Sequence, residues 1–425
     1  MPAYRELSKE ELRAEQVKLQ ETYKQVQAQN LALDMSRGKP GAEQLDLSME
    51  MLRLLKDPAD CKAGNGFDCR NYGLVDGLPE VRQFFAELLG TDAENVTVGG
   101  NSSLNLMYDV ISGAMTHGLR GHTPWMKQET VKFLCPVPGY DRHFGLTEHF
   151  GIEMITVPMT PNGPDMDIVE CLAASDSAIK GIWCVPKYSN PEGITYSDDT
   201  VQRFAALKPA APDFVIMWDN AYCVHDLEEE SDRLLNLMEE CKKTGNENLP
   251  VLFTSTSKIT FPGAGVSAMS ASAENMAGFR KRFFFQTIGH DKLNQLRHIR
   301  FIKDRDAVHA LMQKHSAMLR PKFEIVLDAL KTELGGLDIL SWNEPRGGYF
   351  VSVDTMQGCA ARVISLCKEA GVAMTPAGAT FPYGKDPQDK NIRIAPTFPP
   401  VSELETAIKL FCLCVKIAAV ESLLQ

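Results

Sequence analysis

Phe214-Val215-Ile216-Met217-Trp218 runs without a polar side chain and stops at Asp219-Asn220-Ala221-Tyr222. A short apolar run bounded by polar residues suits a strand buried on both faces, as in a mainly parallel sheet covered by helices. Five further runs share the pattern: Val96-Thr97-Val98, Val131-Lys132-Phe133-Leu134, Met154-Ile155-Thr156-Val157, Gly181-Ile182-Trp183-Cys184-Val185 and Val251-Leu252-Phe253-Thr254, with helical patterns between them. This alternation, from about residue 80 to 260, predicts an α/β domain. In such sheets the ligand sits beyond the carboxyl ends of the strands. Asp219, Asn220, Tyr222 and Lys258 all occupy such positions.

Working outward, Ser8 is followed three residues later by Glu11 and then by a polar helical pattern, which predicts an N-terminal helix over residues 8–30. Met35-Ser36-Arg37-Gly38-Lys39-Pro40-Gly41 carries two glycines and a proline and reads as an irregular loop able to approach a ligand closely. After about residue 305 a long helical stretch, Asp306 to Leu334, leads into Gly347-Gly348-Tyr349-Phe350-Val351-Ser352-Val353 and another helix–strand alternation. A chain of 425 residues exceeds one compact core. The expected division is residues 1–45 as a helix and loop belonging to a small domain, 46–305 as a large domain, and 306–425 as a smaller α+β domain. A cleft between the two is expected.

The formal net charge of -11 leaves no basic surplus to neutralise phosphates, which disfavours nucleic acid as a partner. The start, Met1-Pro2-Ala3-Tyr4-Arg5-Glu6, lacks the basic-then-apolar order of a secretory signal, and no run approaches a membrane span. The 11 cysteines include no CxxC pair, and the nine histidines show no clustered ligand spacing. A soluble, cytoplasmic protein with reduced thiols and no metal is expected.

Three clusters carry the chemistry. Ser255-Thr256-Ser257-Lys258 follows an apolar strand, and a lysine held at such a low-dielectric strand end can act as nucleophile and base. Taken alone, it reads more readily as a surface lysine after a serine–threonine loop, and only its context reverses that. Asp219 and Tyr222 follow a second strand, where the aspartate could instead cap a helix. Pro186-Lys187-Tyr188-Ser189-Asn190-Pro191-Glu192-Gly193 follows a third. Its proline and glycine fix the Asn190 amide, although an ordinary turn satisfies the same residues.

Together, Asn190-Pro-x-Gly, Asp219-x-x-Tyr222 and Ser255-x-x-Lys258, in this order and spacing, resemble the fold-type-I aminotransferases of the aspartate aminotransferase superfamily. The resemblance runs from Gly38 to Arg393. It implies the pyridoxal-phosphate-dependent transferase fold type I, with a mainly parallel seven-stranded sheet in the large domain, and a homodimer with shared active sites. It implies pyridoxal 5'-phosphate as cofactor, joined covalently to Lys258. Asp219 would keep the pyridine nitrogen protonated, while Asn190 and Tyr222 meet the phenolic oxygen. Asn101, Ser102 and Ser103 match the phosphate loop at a helix N-terminus. Tyr140 matches the residue stacked on the ring, and Tyr72 one that reaches the neighbouring subunit's phosphate. Arg393 matches the arginine that forks onto the substrate α-carboxylate, with a structural ion pair as the plainer reading.

One departure concerns the phosphate. Many relatives carry an arginine several residues after the lysine, whereas Thr260-Phe261-Pro262-Gly263-Ala264-Gly265-Val266-Ser267 holds no cation. Ser255, Ser257 and, from the other subunit, Thr287 or Lys292 are candidates to compensate. The same stretch fits the GxGxxA spacing of a dinucleotide fingerprint, but Lys258 and Pro262 stand where a strand should end.

Ser36-Arg37-Gly38-Lys39-Pro40, the Asn190 cluster and Asp291-Lys292-Leu293-Asn294-Gln295-Leu296-Arg297-His298 resemble the bacterial type Ic aspartate aminotransferases. That subgroup implies transfer from L-aspartate to 2-oxoglutarate in a ping-pong cycle between pyridoxal and pyridoxamine forms of the cofactor. The distal carboxylate then needs a second cation. Arg37, beside Gly38, leads, followed by Lys187 and Lys292. The alternatives are an aminotransferase for alanine or aromatic amino acids, and the effector-sensing half of a transcription regulator. For the latter, about 35 residues ahead of the Arg37 loop leave little room for a DNA-binding module.

Overall fold

The computed structural model describes residues 3–425; Met1 and Pro2, where the charged N-terminal stretch begins, lie outside the described residues. In chain order its strands are β1 (Leu33–Asp34), β2 (Val96–Val98), β3 (Lys132–Val137), β4 (Glu153–Thr160), β5 (Gly163–Pro164), β6 (Ile179–Cys184), β7 (Val215–Asp219), β8 (Pro250–Ser255), β9 (Ser267–Ala271), β10 (Leu340–Trp342), β11 (Val351–Thr355), β12 (Val372–Ala373) and β13 (Asn391–Ile394).

The large sheet runs β2-β9-β8-β7-β6-β3-β4-β5. Strands β8, β7, β6, β3 and β4 pair in parallel, while β9 lies antiparallel between β8 and β2. The seven expected strands are present, and the two-residue β5 folds back on β4 as an eighth. Each of the six apolar runs became a strand. The seventh, β9, follows the glycine-rich stretch weighed as a dinucleotide fingerprint; that motif would open a helix, and here it opens a strand instead.

Pleating sends alternate side chains to opposite faces. On one face Phe133, Cys135, Trp183, Val215, Met217, Val251 and Phe253 join one core. On the other, Leu134, Ile182, Cys184, Ile216, Trp218 and Leu252 join a second. Two cores on one sheet explain why the runs of its central strands lack polar alternation: neither face meets water there, whereas β4 toward the edge is partly exposed.

A separate three-stranded antiparallel sheet has the order β10-β11-β13. The helices Arg305–Leu334 and Val401–Leu424 supply most of the core beside it. The N-terminal helix, Lys9–Gln27, starts with the anticipated capping box between Ser8 and Glu11. It buries Leu12, Leu19 and Tyr23 in that same core, with Phe323, Phe411 and Val415, and β1 then pairs in parallel with β12. The N-terminal helix is thus fastened to the C-terminal helices. Among the described residues no helix is long and apolar enough to cross a membrane.

Candidate active site

Strands β6, β7 and β8 are neighbours running in one direction, so their carboxyl ends open on one side of the sheet. β7 ends on Asp219, β8 ends on Ser255 three residues before Lys258, and the loop after β6 reaches Asn190. Parallel pairing therefore gathers groups that lie far apart in sequence.

The Lys258 amine lies 4.8 Å from the Tyr222 ring centroid and 5.8 Å from that of Tyr349. Burial lowers its pKa below that of an ordinary lysine; the Asp219 charge opposes this shift and the Arg393 charge reinforces it. An amine so placed gives up its proton more readily and becomes a better nucleophile and base. Burial, reinforced by the Asp219 charge, pushes the Tyr140 hydroxyl up to about 12. Burial also drives the Tyr222 hydroxyl well above its usual range, with Tyr140 adding to the effect. Both phenols stay protonated and able to donate.

Asp219 is 3% exposed. Its Oδ2 accepts from His143 Nε2 at 3.1 Å, while Oδ1 is buried with no partner among the described residues. His143 stacks on Trp183 with centroids 4.3 Å apart and planes at 11°, and meets Tyr140 edge-on at 4.9 Å. Trp183 Nε1 donates to Thr147 Oγ1, and Thr147 Oγ1 donates back to the His143 carbonyl, which fixes the stack from behind. Sequence reasoning missed His143. Its one signal was position, three residues after Tyr140 at the start of the helix Asp141–His149 and therefore on the same face.

Across the cleft, Arg393 on β13 donates from Nη1 to Asn190 Oδ1 at 3.1 Å and to Asp141 Oδ1 at 2.9 Å. The guanidinium lies 4.9 Å from the Phe350 ring centroid, and its Nε is buried without a partner among the described residues. Asn190 spends its carbonyl on Arg393, which leaves the amide hydrogens for another acceptor. Asp141 and Phe350 were also missed. Gly38 is packed so closely against the Phe350 ring that a Cβ would collide with it.

A second cluster forms at the start of the helix Ser103–His117, where Ser102 Oγ accepts from Leu104 N. Ser255 Oγ donates to Ser257 Oγ at 3.0 Å, and Ser257 Oγ donates to the Asn101 carbonyl at 3.1 Å. Asn101, Ser102, Ser103, Ser255 and Ser257 thus converge on one helix N-terminus, a setting that favours an anion.

Lys292 is 5% exposed and has no acidic partner among the described residues; burial lowers its pKa. Its ammonium donates only to the His290 carbonyl, at 3.3 Å, whereas Thr287 Oγ1 accepts from Gly289 N. Lys187 has its three hydrogens engaged by Cys223 O, Asp226 Oδ1 and Ser231 Oγ, and so has none to offer a substrate. Tyr72 is 77% exposed, and Arg37 is exposed with no ion pair among the described residues. The single chain does not fold these two into the cluster around Lys258.

The family model described as aspartate amino-transferase matches residues 7–425. An aspartate aminotransferase of Corynebacterium glutamicum is 48% identical over 94% of this chain and 92% of its own length. A Mycolicibacterium smegmatis protein named provisionally as an aminotransferase is 50% identical over 99% of both chains. The crystal structure of an aspartate transaminase from Corynebacterium glutamicum superposes with a TM-score of 0.96 at 45% identity, covering 99% of each chain. Matched along nearly its whole length, the chain belongs to the aspartate aminotransferase family of pyridoxal-phosphate enzymes.

Proposed function

We propose that this protein transfers the amino group of L-aspartate to 2-oxoglutarate, with pyridoxal 5'-phosphate joined to Lys258. The observation that carries the reading is the unpaired Asp219 Oδ1 in the same cleft as Lys258 and Arg393. A buried carboxylate oxygen without a donor is costly, and a protonated ring nitrogen removes the cost. The hydroxyls around the Ser103 helix suit the phosphate, Tyr140 suits the ring face, and Asn190 and Tyr222 offer donors to its phenolic oxygen.

When bound, the cofactor supplies an aldehyde for the amino group and a ring that takes up electron density as the α-proton leaves. The protein's own groups do the rest. Lys258, whose amine burial keeps ready to deprotonate, takes the α-proton at Nζ and returns it. Asp219, aimed by His143, would hold its negative charge against the protonated ring nitrogen. Arg393 offers its unpartnered Nε edge to the α-carboxylate as a fork, and Asn190 keeps that fork from turning. Arg37 takes the distal carboxylate, with the loop at Gly38 resting on Phe350.

The working unit in this reading is a cytoplasmic homodimer. Tyr72, Phe284, Phe285 and Ile288 are exposed large side chains, and the backbone beside Ile288 touches that beside Tyr72, so they share a surface suited to a second copy. Eleven free cysteines suit a reducing compartment. The shared core of the N-terminal helix and the C-terminal helices supports residues 1–45 and 306–425 as one small domain closing over 46–305.

Turnover of aspartate, alanine and phenylalanine against 2-oxoglutarate tests the substrate; preference for a neutral donor would sink the dicarboxylate part. Borohydride reduction and peptide mapping should place the cofactor on Lys258. Lys258→Ala should lower turnover on the order of 10^4-fold, and near-normal activity would overturn the assignment. Light scattering of the purified protein tests the dimer.

A further inference from the structure

The Asn190 loop does more than present Asn190. Two residues on, Glu192 leaves the large sheet's side of the cleft and inserts its carboxylate into the three-stranded sheet. Its Oε1 accepts from Ser352 Oγ on β11 at 2.5 Å, and its Oε2 accepts from Asn343 Nδ2 at 2.8 Å; the same Asn343 amide also donates to the Glu192 carbonyl at 3.0 Å. Gly193, at φ +69, lies so close to Pro345 that a Cβ would press into its ring. The seat is itself braced. Asn391 Nδ2 donates to Ser352 Oγ at 3.0 Å and to Asp354 Oδ1 at 2.9 Å, and Asn391 Oδ1 accepts from Thr380 Oγ1 at 2.8 Å.

The register gives this seat its significance. Ser352 on β11 is the cross-strand partner of Arg393 on β13, so the two side chains leave the same face of the strand pair. One then holds Glu192 and the other holds Asn190. The contacts form a closed circuit: from the Arg393 guanidinium to Asn190, along the backbone through Pro191 to Glu192, across to Ser352, and over the strand ladder back to Arg393. A circuit of this kind fixes distance and angle together, because neither Asn190 nor Arg393 can shift without breaking the Glu192 anchor.

We infer that Glu192 is a positioning residue for substrate carboxylate binding, fastening the Asn190 loop to β11, the strand paired with the one that carries Arg393. The inference rests on the proposed role of Arg393. It assigns to Glu192 control over the affinity of both the amino donor and the oxo acceptor, since both present an α-carboxylate to the same fork. It assigns no part in the proton transfer at Lys258.

The test uses the holoenzyme and its Glu192→Ala, Glu192→Gln, Ser352→Ala and Arg393→Lys variants. KM and kcat are measured for aspartate and 2-oxoglutarate, and the dissociation constant of unreactive succinate is measured by calorimetry. Glu192→Ala, which removes both carboxylate anchors, should raise both KM values and weaken succinate about tenfold as the Arg393 fork loosens, with kcat changed less than about threefold. Glu192→Gln, which keeps one acceptor, should recover part of that loss. Ser352→Ala, which leaves the loop its Asn343 anchor, should give a smaller loss of the same kind. Unchanged KM and succinate binding in Glu192→Ala, beside a clear loss in Arg393→Lys, would overturn the inference while leaving Arg393 in place. No loss in Arg393→Lys would overturn the role of Arg393 itself. Should Glu192→Ala fail to fold, Ser352→Ala decides by the same outcomes.

Discussion

The two walls of the cleft are built on different plans. On one, Asp219, Tyr222 and Lys258 stand at the ends of neighbouring parallel strands, and His143 and Trp183 back them from the same side. On the other, Arg393 comes from the three-stranded sheet, Asn190 from a loop of the large one, and Glu192 and Ser352 tie the two together. The first wall is set by one rigid sheet and the second by agreement between two. Charge stabilisation needs groups fixed in advance, whereas grip on a substrate tolerates assembly from parts. Changes to the first wall should therefore appear in kcat, and changes to the second in KM.

The largest such effect should come from Asp219→Asn. The amide keeps the size but removes the anion, and it presents either an N–H or a neutral carbonyl to the ring nitrogen. We expect kcat to fall on the order of 10^3-fold, as for loss of a principal preorganised electrostatic contact, with aspartate KM within a fewfold of wild type. A loss confined to KM would break the comparison. Arg393→Lys should give the opposite signature. A lysine cannot reach Asn190 and fork onto a carboxylate at once, so KM for aspartate should rise on the order of 10^2-fold in steady-state assays, with the smaller change in kcat.

His143→Phe sharpens the first half. The ring can still stack on Trp183, so the change isolates the bond to Asp219 Oδ2. Asp219 would lose its orienting donor and gain a second unpaired oxygen. About a tenfold drop in kcat with little change in KM is expected, and equal changes in both would mean that His143 serves the fold rather than the charge.

The same division explains what the sequence could disclose. Asp219, Asn190 and Lys258 were legible because each follows an apolar run, and parallel strands put such ends side by side whatever lies between them. β9 escaped because Ser267-Ala268-Met269-Ser270-Ala271 has no apolar run; it is buried through small side chains, with Ser267 packed against Gly99. His143 meets Asp219 across 76 residues and Glu192 meets Ser352 across 160, contacts that depend on how a helix or a second sheet docks rather than on any local pattern. Arg37 and Tyr72 stand out in the sequence only as motif positions; both are exposed in the single chain, so its packing gives neither a place in the cluster around Lys258.

The smallest expected effect tests how far the second wall extends. Gly38 lies against the edge of the Phe350 ring, and the Arg393 guanidinium sits 4.9 Å from the centroid of that same ring. In Gly38→Ala the new methyl would overlap the ring edge, so the ring or the loop must move. Either movement reaches the grip and not the base: a displaced ring withdraws the surface on which the guanidinium rests, and a displaced loop shifts Arg37. The ring shifts rather than leaves, so only part of a desolvated cation–π pairing of about 2 kcal/mol is lost, and aspartate KM should rise about two- to fivefold with kcat held. Measured against alanine as donor, the two routes separate. A moving ring weakens both donors alike through the shared α-carboxylate, while a moving loop penalises aspartate alone through its distal one. A fall in kcat with KM unchanged would mean that the Gly38 loop acts on the Lys258 wall, and the two walls would not be independent.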